Sequence, residues 1–287
     1  MTRPAPLANL NGQLLPLEEA RVPALDRGFL FGDAVYEVLR VYGGRPWLAD
    51  EHFARLGRSL DAVRIRGVDL DRLRRRMLAT IAAGPFREAT AYLQVTRGAA
   101  PRKHPFPAGV APLEFLYVQE FHDPYAEARR TGAAVITQPD LRWDRCDIKS
   151  TNLLGNVLAM QAAVEAGGVE ALLYLPDGTL TEGTHTSFFG VLDGVLLTAP
   201  NSAAILPGIT RGLVLRLSAR AGVPVREHML RRDDLGRVSE LFLTGTTSEV
   251  LPVVRVDGRP VADGRPGAVT RRLQEAYAAE VREFLAR

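Results

Sequence analysis

Only two of the 36 basic residues in this 287-residue chain are lysines, Lys103 and Lys149. Arginine stays charged at working pH, whereas a lysine ammonium can lose its proton and attack a carbonyl carbon. In a chain that uses arginine wherever a solvated cation suffices, a retained lysine is a candidate nucleophile. Lys103 sits in a Pro- and Arg-rich stretch and reads as chance retention. Lys149 lies in Cys146-Asp147-Ile148-Lys149-Ser150-Thr151-Asn152, just ahead of an apolar helical run. Three further stretches carry chemistry. Thr181-Glu182-Gly183-Thr184-His185-Thr186-Ser187 places a carboxylate before a row of hydroxyls. Pro207-Gly208-Ile209-Thr210-Arg211 opens a helical run, where unpaired N–H groups and the helix dipole favour an anion. Thr244-Gly245-Thr246-Thr247-Ser248-Glu249 is a second hydroxyl cluster after a strand-like run.

Each stretch alone has an ordinary explanation. Gly-Ile-Thr is a common helix start, a lone Glu182 is a turn residue, and a run of threonines is solvated turn chemistry. Together they supply one amine, one carboxylate and two phosphate-friendly termini, the parts needed to hold pyridoxal phosphate. Other site types are missing. No GxGxxG follows a strand, no P-loop occurs, and there is no GxSxG elbow. The five histidines are scattered and there is one cysteine, so no metal site is expected.

The elements that position these groups follow from periodicity. Residues 35–42 read as a strand closed by Gly43-Gly44. Asp50 is expected to cap a helix carrying Phe53, Leu56, Leu60 and Val63, and Asp69 a helix carrying Leu70, Leu73, Met77 and Ile81. Residues 89–96 and 114–119 read as strands around a loop with four prolines, Pro101, Pro105, Pro107 and Pro112. The polar stretch 122–132 reads as a linker, giving expected domains at 1–121 and 122–287. Beyond it come strands at 133–138, 170–175, 187–192, 195–198, 240–244 and 250–255. Helices are expected over about 153–166, 210–221 and 269–285. Strands outnumber helices without strict alternation, which predicts an α+β fold.

Composition narrows the classes further. The net charge of +3 is too small and dispersed for a nucleic-acid footprint. Charged residues at 24% and mean hydropathy near zero are globular values. The least charged long stretch, 194–210, contains Pro200 and Pro207 and is no bilayer span. The opening MTRPAPLANLNGQLLPLEEA lacks the pattern of a secretion signal, and the lone Cys146 cannot form an internal disulfide. A cytoplasmic enzyme is expected.

The chain resembles the fold-type-IV pyridoxal-phosphate enzymes, and most closely the D-amino acid aminotransferases. The segments that carry the likeness are DRGFLFGDAVYEVLRVY (26–42), EHFARL (51–56), QVTRGAAPRKHPFP (94–107), RCDIKSTNLLGNVLA (145–159), TEGTHTSFFG (181–190), LPGITR (206–211) and ELFLTGTTSE (240–249). Their order and spacing match over nearly the full length. The resemblance implies two α/β domains with pyridoxal 5'-phosphate at the domain interface, and a larger C-terminal domain bearing the Schiff-base lysine. It implies that Lys149 is that lysine and Glu182 the partner of the ring nitrogen. Arg55, Ile209, Thr210, Thr246 and Thr247 fall on phosphate positions. Tyr36, Arg102 and His104 fall on the substrate-carboxylate positions, the last two reaching across a homodimer. Amino and oxo acids are the implied substrates. Two departures stand out: His185 and Gly245 each replace a serine. The same scaffold also serves branched-chain L-amino acid and (R)-amine transaminases, which generally lack Arg-x-His in this loop, and aminodeoxychorismate lyase. A cofactor-binding protein without turnover is the non-enzymatic alternative.

Overall fold

The structure, a computed structural model, describes residues 5–287. The chain divides into two compact units. One is formed by the chain up to His122 together with Ile148–Asn152, the other by Asp123–Asp147 and Leu153–Arg287. Ile148–Asn152, expected with the C-terminal domain, therefore packs with the N-terminal one, and Lys149 goes with it. The reason lies in backbone bonding. Lys149 O accepts from Tyr36 N (3.0 Å), Thr151 N donates to Ala34 O (3.2 Å), and Ser150 bridges Val35.

In the first unit the elements are β1 (Leu7–Leu10), β2 (Gln13–Pro16), α1 (Arg27–Phe31), β3 (Ala34–Tyr42), β4 (Arg45–Pro46), α2 (Ala49–Ala62), α3 (Leu70–Ala83), β5 (Ala89–Thr96) and β6 (Leu113–Glu120). They build one antiparallel sheet in the order β2-β1-β6-β5-β3-β4. Alternation sends Val35, Leu39 and Val41 with Ala91, Leu93 and Val95 into a core against Phe53, Leu56, Leu60, Leu73, Met77 and Ile81 of α2 and α3. The opposite face carries Tyr36, Tyr92 and Tyr117. Asp69 caps α3 as expected, accepting from Arg72 N at 2.9 Å. Asp50 does not cap α2. That helix starts after Leu48, which turns the chain at φ 51, and Asp50 sits in its first turn, where a negative charge complements the dipole.

The second unit contains α4 (Ala126–Thr131), β7 (Ala133–Pro139), α5 (Leu154–Glu165), β8 (Ala171–Tyr174), β9 (Leu180–Gly183), β10 (Ser187–Leu192), β11 (Val195–Thr198), α6 (Ile209–Arg220), β12 (Val225–Glu227), β13 (Glu240–Gly245), β14 (Glu249–Val256), β15 (Arg259–Pro260) and α7 (Ala268–Ala286). Its mixed sheet runs β12-β11-β10-β13-β14-β7-β8-β9, with β15 on β14. Leu172, Leu180, Phe188, Leu241, Leu243 and Leu251 fill its core. The stretch read as a linker holds α4, stopped by Gly132 at φ 95. A Cβ there would lie 2.2 Å from Val254 Cγ1, so only glycine fits. No helix among the described residues is long and apolar enough to cross a membrane.

Candidate active site

Lys149 is held by its backbone before its side chain is considered. Its carbonyl pairs with Tyr36 N and its N–H donates to Ser59 Oγ at 3.2 Å. Behind it, Thr151 Oγ1 and Asn152 Nδ2 both donate to Gly32 O, at 3.2 and 3.0 Å. Gly32 has φ 65, and a Cβ on it would lie 2.4 Å from Asn152 Oδ1. The lysine is thus fixed on the edge of β3, with Nζ 4.3 Å from the centre of the Tyr36 ring. Tyr36 stacks on Tyr92 (5.7 Å) and Tyr92 on Tyr117 (5.0 Å). Burial, with the neighbouring Tyr36 and Tyr117, pushes the Tyr92 phenol up, so the Tyr92 hydroxyl stays neutral.

Arg55 is buried on α2, with a guanidinium edge gripped by Glu37: Nε to Oε1 at 2.7 Å and Nη2 to Oε2 at 2.8 Å. His52 Nδ1 meets the same carboxylate at 2.7 Å. Burial raises the Glu37 pKa, but Arg55 and then His52 outweigh it and hold the carboxyl at about 2. Burial pushes His52 down, against the pull of Glu37. Glu37 and His52 were not singled out in the sequence. The signal was there: Glu37 points to the helix-covered face of β3, where an acid needs a buried cation.

Arg102 and His104 come together on one ring. The Arg102 guanidinium carbon lies 5.1 Å from the centre of Phe31, and the His104 ring 5.5 Å from it. The backbone between them is bent at 102 and at 104–105, so it is the fold of the loop that brings both side chains to this ring. Within the chain, no hydrogen bond, ion pair or ring contact links them to Tyr36 among the described residues.

In the second unit Glu182 lies on β9, a fully buried strand that is not among the elements expected from periodicity. Leu206 N donates to both its oxygens at 3.1 Å, and Arg142 Nη1 bonds to Oε1. Arg142 is itself forked by Asp140, Nε to Oδ1 at 2.9 Å and Nη2 to Oδ2 at 2.8 Å. Burial opposes the Arg142 charge, but Asp140 and Glu182 raise its pKa overall. A cation and an amide N–H stabilise the carboxylate form of Glu182, which a protonated ring nitrogen requires. In the sequence Arg142 is one of 34 arginines, marked only by Asp140 two positions before it.

The hydroxyl clusters have defined places. Ile209 and Thr210 form the first turn of α6, whose N-cap Gly208 offers no side-chain cap. A Cβ on Gly208 would lie 2.6 Å from Ser187 Oγ. Thr246 and Thr247 form the turn between β13 and β14 beside Ser248, whose buried Oγ has no hydrogen-bond partner in the protein. A Cβ on Gly245 would lie 2.7 Å from that Oγ. Ser248 therefore brings a hydroxyl close to the one a serine at 245 would have provided. An orphaned buried hydroxyl beside two threonines, and a helix start without a side-chain cap, fit a phosphate.

His185 answers to a residue the sequence reading did not name. Glu170 is buried and accepts from Thr184 N (3.0 Å), Thr184 Oγ1, Thr186 Oγ1 (2.8 Å) and Ala171 N (2.9 Å). His185 Nδ1 stands 3.0 Å from it, and His185 Nε2 is 3.4 Å from the Tyr125 hydroxyl. Burial works against the Glu170 charge, but His185 and the hydroxyls hold its pKa at about 2. Glu170 is the post around which the turn after Glu182 is wound.

Residues 34–256 match the profile described as amino-transferase class IV. The D-alanine aminotransferase of Bacillus licheniformis is 41% identical over 270 residues, 93% of this chain and 94% of that protein. The D-alanine aminotransferase of Staphylococcus aureus (strain COL) is 38% identical over 276 residues, 93% and 95% of the two. Among solved structures, the Escherichia coli branched-chain amino acid aminotransferase matches with TM-score 0.86 and 27% identity over 96% of this chain and 94% of that one. A T.th. branched-chain amino acid aminotransferase with pyridoxamine 5'-phosphate matches with TM-score 0.87 and 29% identity, over 96% and 93%.

Proposed function

The chain belongs to the class IV aminotransferase family, and on that premise we propose that it transfers amino groups between D-amino acids and 2-oxo acids. D-alanine, D-glutamate and D-aspartate are the proposed donors, 2-oxoglutarate and pyruvate the acceptors. The observation that carries this reading is the gathering of Arg102 and His104 on Phe31, a guanidinium and an imidazole placed for one carboxylate.

Pyridoxal 5'-phosphate, when bound, supplies an aldehyde carbon that condenses with amines and a ring that takes up the electrons of a broken Cα–H bond. Lys149 Nζ is the amine assigned to that aldehyde in the resting enzyme. With the cofactor bound, Lys149 Nζ would be the base that holds and moves the proton at substrate Cα. Glu182, steadied by Arg142 and Leu206 N, would hold a proton on the ring nitrogen of the bound cofactor. Arg55 with the N–H groups and hydroxyls of Ile209, Thr210, Thr246 and Thr247 takes the phosphate. Tyr36, Arg102 and His104 orient the substrate carboxylate, which decides the face of Cα presented to Lys149.

Two features support a homodimer in which Arg102 and His104 serve the partner's site. Among the described residues of one chain, no hydrogen bond, ion pair or ring contact links these two side chains to Tyr36. On α5, Leu154, Val157 and Leu158 form an exposed apolar stripe, with Leu141 and Trp143 also exposed. The lone cysteine fits a reducing compartment, and the cytoplasm is the proposed location.

Losing one charge-assisted carboxylate contact typically removes about 1.5–3 kcal/mol, so Arg102→Leu should lower kcat/KM for D-alanine roughly tenfold to a hundredfold or more. Cofactor absorbance should be unaltered. An undiminished efficiency overturns the carboxylate assignment. The likeness of fold to branched-chain enzymes favours a second reading, and L-leucine turned over faster than D-alanine would establish it instead.

A further inference from the structure

We propose that Arg27, fixed by Asp33, is a positioning residue that sets the Arg102–His104 loop and so governs substrate affinity without touching substrate. The inference rests on the carboxylate role given to Arg102 and His104.

Arg27 is nearly fully buried, although it begins a helix of only five residues. Its guanidinium lies over the Phe31 ring at the end of that helix and reaches on to the loop. Nη1 donates to Lys103 O at 2.6 Å and Nη2 to His104 O at 3.2 Å. The carbonyls it grips are therefore those of His104 itself and of the residue between His104 and Arg102. The remaining Nε donates to Asp33 Oδ2 at 2.8 Å. Asp33 is shared with Arg97, which gives it Nε (2.8 Å) and Nη2 (2.9 Å). Arg97 also bonds to Val63 O and Arg64 O at the end of α2, and its guanidinium lies 3.6 Å from the centre of Phe106 farther along the loop. Arg27 lies 4.8 Å from the centre of Phe31, the ring on which Arg102 and His104 rest.

The loop between β5 and β6 is thus tied at three places. Its base is held by Arg27 N to Gly98 O (3.0 Å) and Ala100 N to Leu25 O (3.2 Å). Its middle is held by Arg27, and Phe106 is held by Arg97. Only the middle tie acts on the backbone that aims Arg102 and His104. The ion cluster behind this tie is Arg27, Arg97 and Asp33, with the Arg102 guanidinium and the His104 ring on the other contacts of Phe31. Burial opposes ionisation of Asp33, yet Arg97 and Arg27 hold its pKa below the ordinary range, so the carboxylate stays charged. Without Arg27 the two carbonyls lose their donors, and the loop must be ordered by the substrate itself. Ordering even one or two residues at binding weakens affinity by about tenfold to a hundredfold. The step at Cα, made by Lys149, is untouched once substrate is seated.

The test uses the holoenzyme, with Arg27→Met and Arg27→Lys beside Arg102→Leu. Arg27→Met should raise KM for D-alanine about tenfold to a hundredfold with kcat within about threefold, and should speed amide hydrogen exchange over residues 102–106. Arg27→Lys, which keeps one donor group, should fall between it and wild type. If Arg27→Met fails to fold, Asp33→Asn should raise KM in the same direction by releasing Nε of Arg27. A D-alanine KM that neither Arg27→Met nor Asp33→Asn alters, while Arg102→Leu raises it, overturns the clamp. An Arg102→Leu variant with wild-type KM overturns the carboxylate assignment instead, and loop exchange still reports whether Arg27 holds the loop.

Discussion

Replacing Arg142 by methionine tests the electrostatic design around Glu182. Arg142, Asp140 and Glu182 keep only 6%, 7% and 7% of their side-chain surface exposed. Methionine fills a similar volume but takes the guanidinium from two carboxylates; Asp140 keeps Thr181 Oγ1 and the backbone N–H of residue 142 as donors, and Glu182 keeps Leu206 N. Removing one partner of a buried ion pair is worth about 3–5 kcal/mol. At roughly 2–4 °C per kcal/mol for a domain of this size, the melting temperature of Arg142→Met should fall by roughly 6–20 °C. The sign with pH is fixed as well. In the wild type, burial raises the Asp140 pKa but Arg142 lowers it further, so the group stabilises the fold above its unfolded pKa and loses that effect as pH falls. In Arg142→Met burial is opposed only by Thr181 Oγ1 and the backbone N–H of residue 142, so the folded pKa rises and ionisation stabilises less. The deficit should therefore be largest at neutral and alkaline pH and shrink as pH falls through about 4. Thermal melts between pH 4 and 8, with cofactor absorbance and kcat in parallel, read all of this. A variant with unchanged melting temperature and an unshifted acid limb of kcat would refute the account of how Glu182 is kept ionised.

Lys149→Arg should fold yet lack the visible absorbance of a covalently held cofactor, and borohydride reduction of wild type should mark Lys149; a label on Lys103 would contradict the assignment. Glu37→Gln removes the anion that orients Arg55, and its stability deficit should be full above about pH 5 and vanish as pH falls toward 2, because the wild-type carboxyl titrates at about 2. Denaturant unfolding at pH 3, 5 and 7 checks this, and a deficit independent of pH would contradict it. Ser248→Ala should leave the stability of the apoprotein unchanged or slightly raised, since its hydroxyl is orphaned, yet weaken cofactor binding by about 1.5–3 kcal/mol, the range for a hydrogen bond to a charged group. Equilibrium dialysis of cofactor decides that point, and undiminished affinity would place the phosphate elsewhere.

Periodicity made the main elements legible because their burial pattern is local. The helices at 154–165, 209–220 and 268–286 lie within a residue or so of where the sequence puts them, and Asp69 caps its helix. The hairpin β1–β2 carried a signal that was passed over: Asn11-Gly12, both at positive φ, joins LANL to QLLP. What the sequence could not show depends on distant partners. Ile148–Asn152 joins the first unit through bonds to residues 34–36, more than a hundred positions away. Glu170 and Arg142 look like any surface charge until folding buries them against the turn at 184–186 and against Glu182. Lys149 was legible for a compositional reason, the scarcity of other lysines, and Gly245 became intelligible only when Ser248 was seen beside it.

The most direct test of the central claim is a single half-reaction. Cofactor-loaded protein is mixed rapidly with D-alanine, L-alanine or L-leucine without any oxo acid, and the visible absorbance of the cofactor is followed. D-alanine should bleach it in one turnover, far faster than either L-amino acid, and added 2-oxoglutarate should restore it. Faster bleaching by L-leucine, or an absorbance that D-alanine leaves untouched, would contradict the assignment of this protein to D-amino acid transamination.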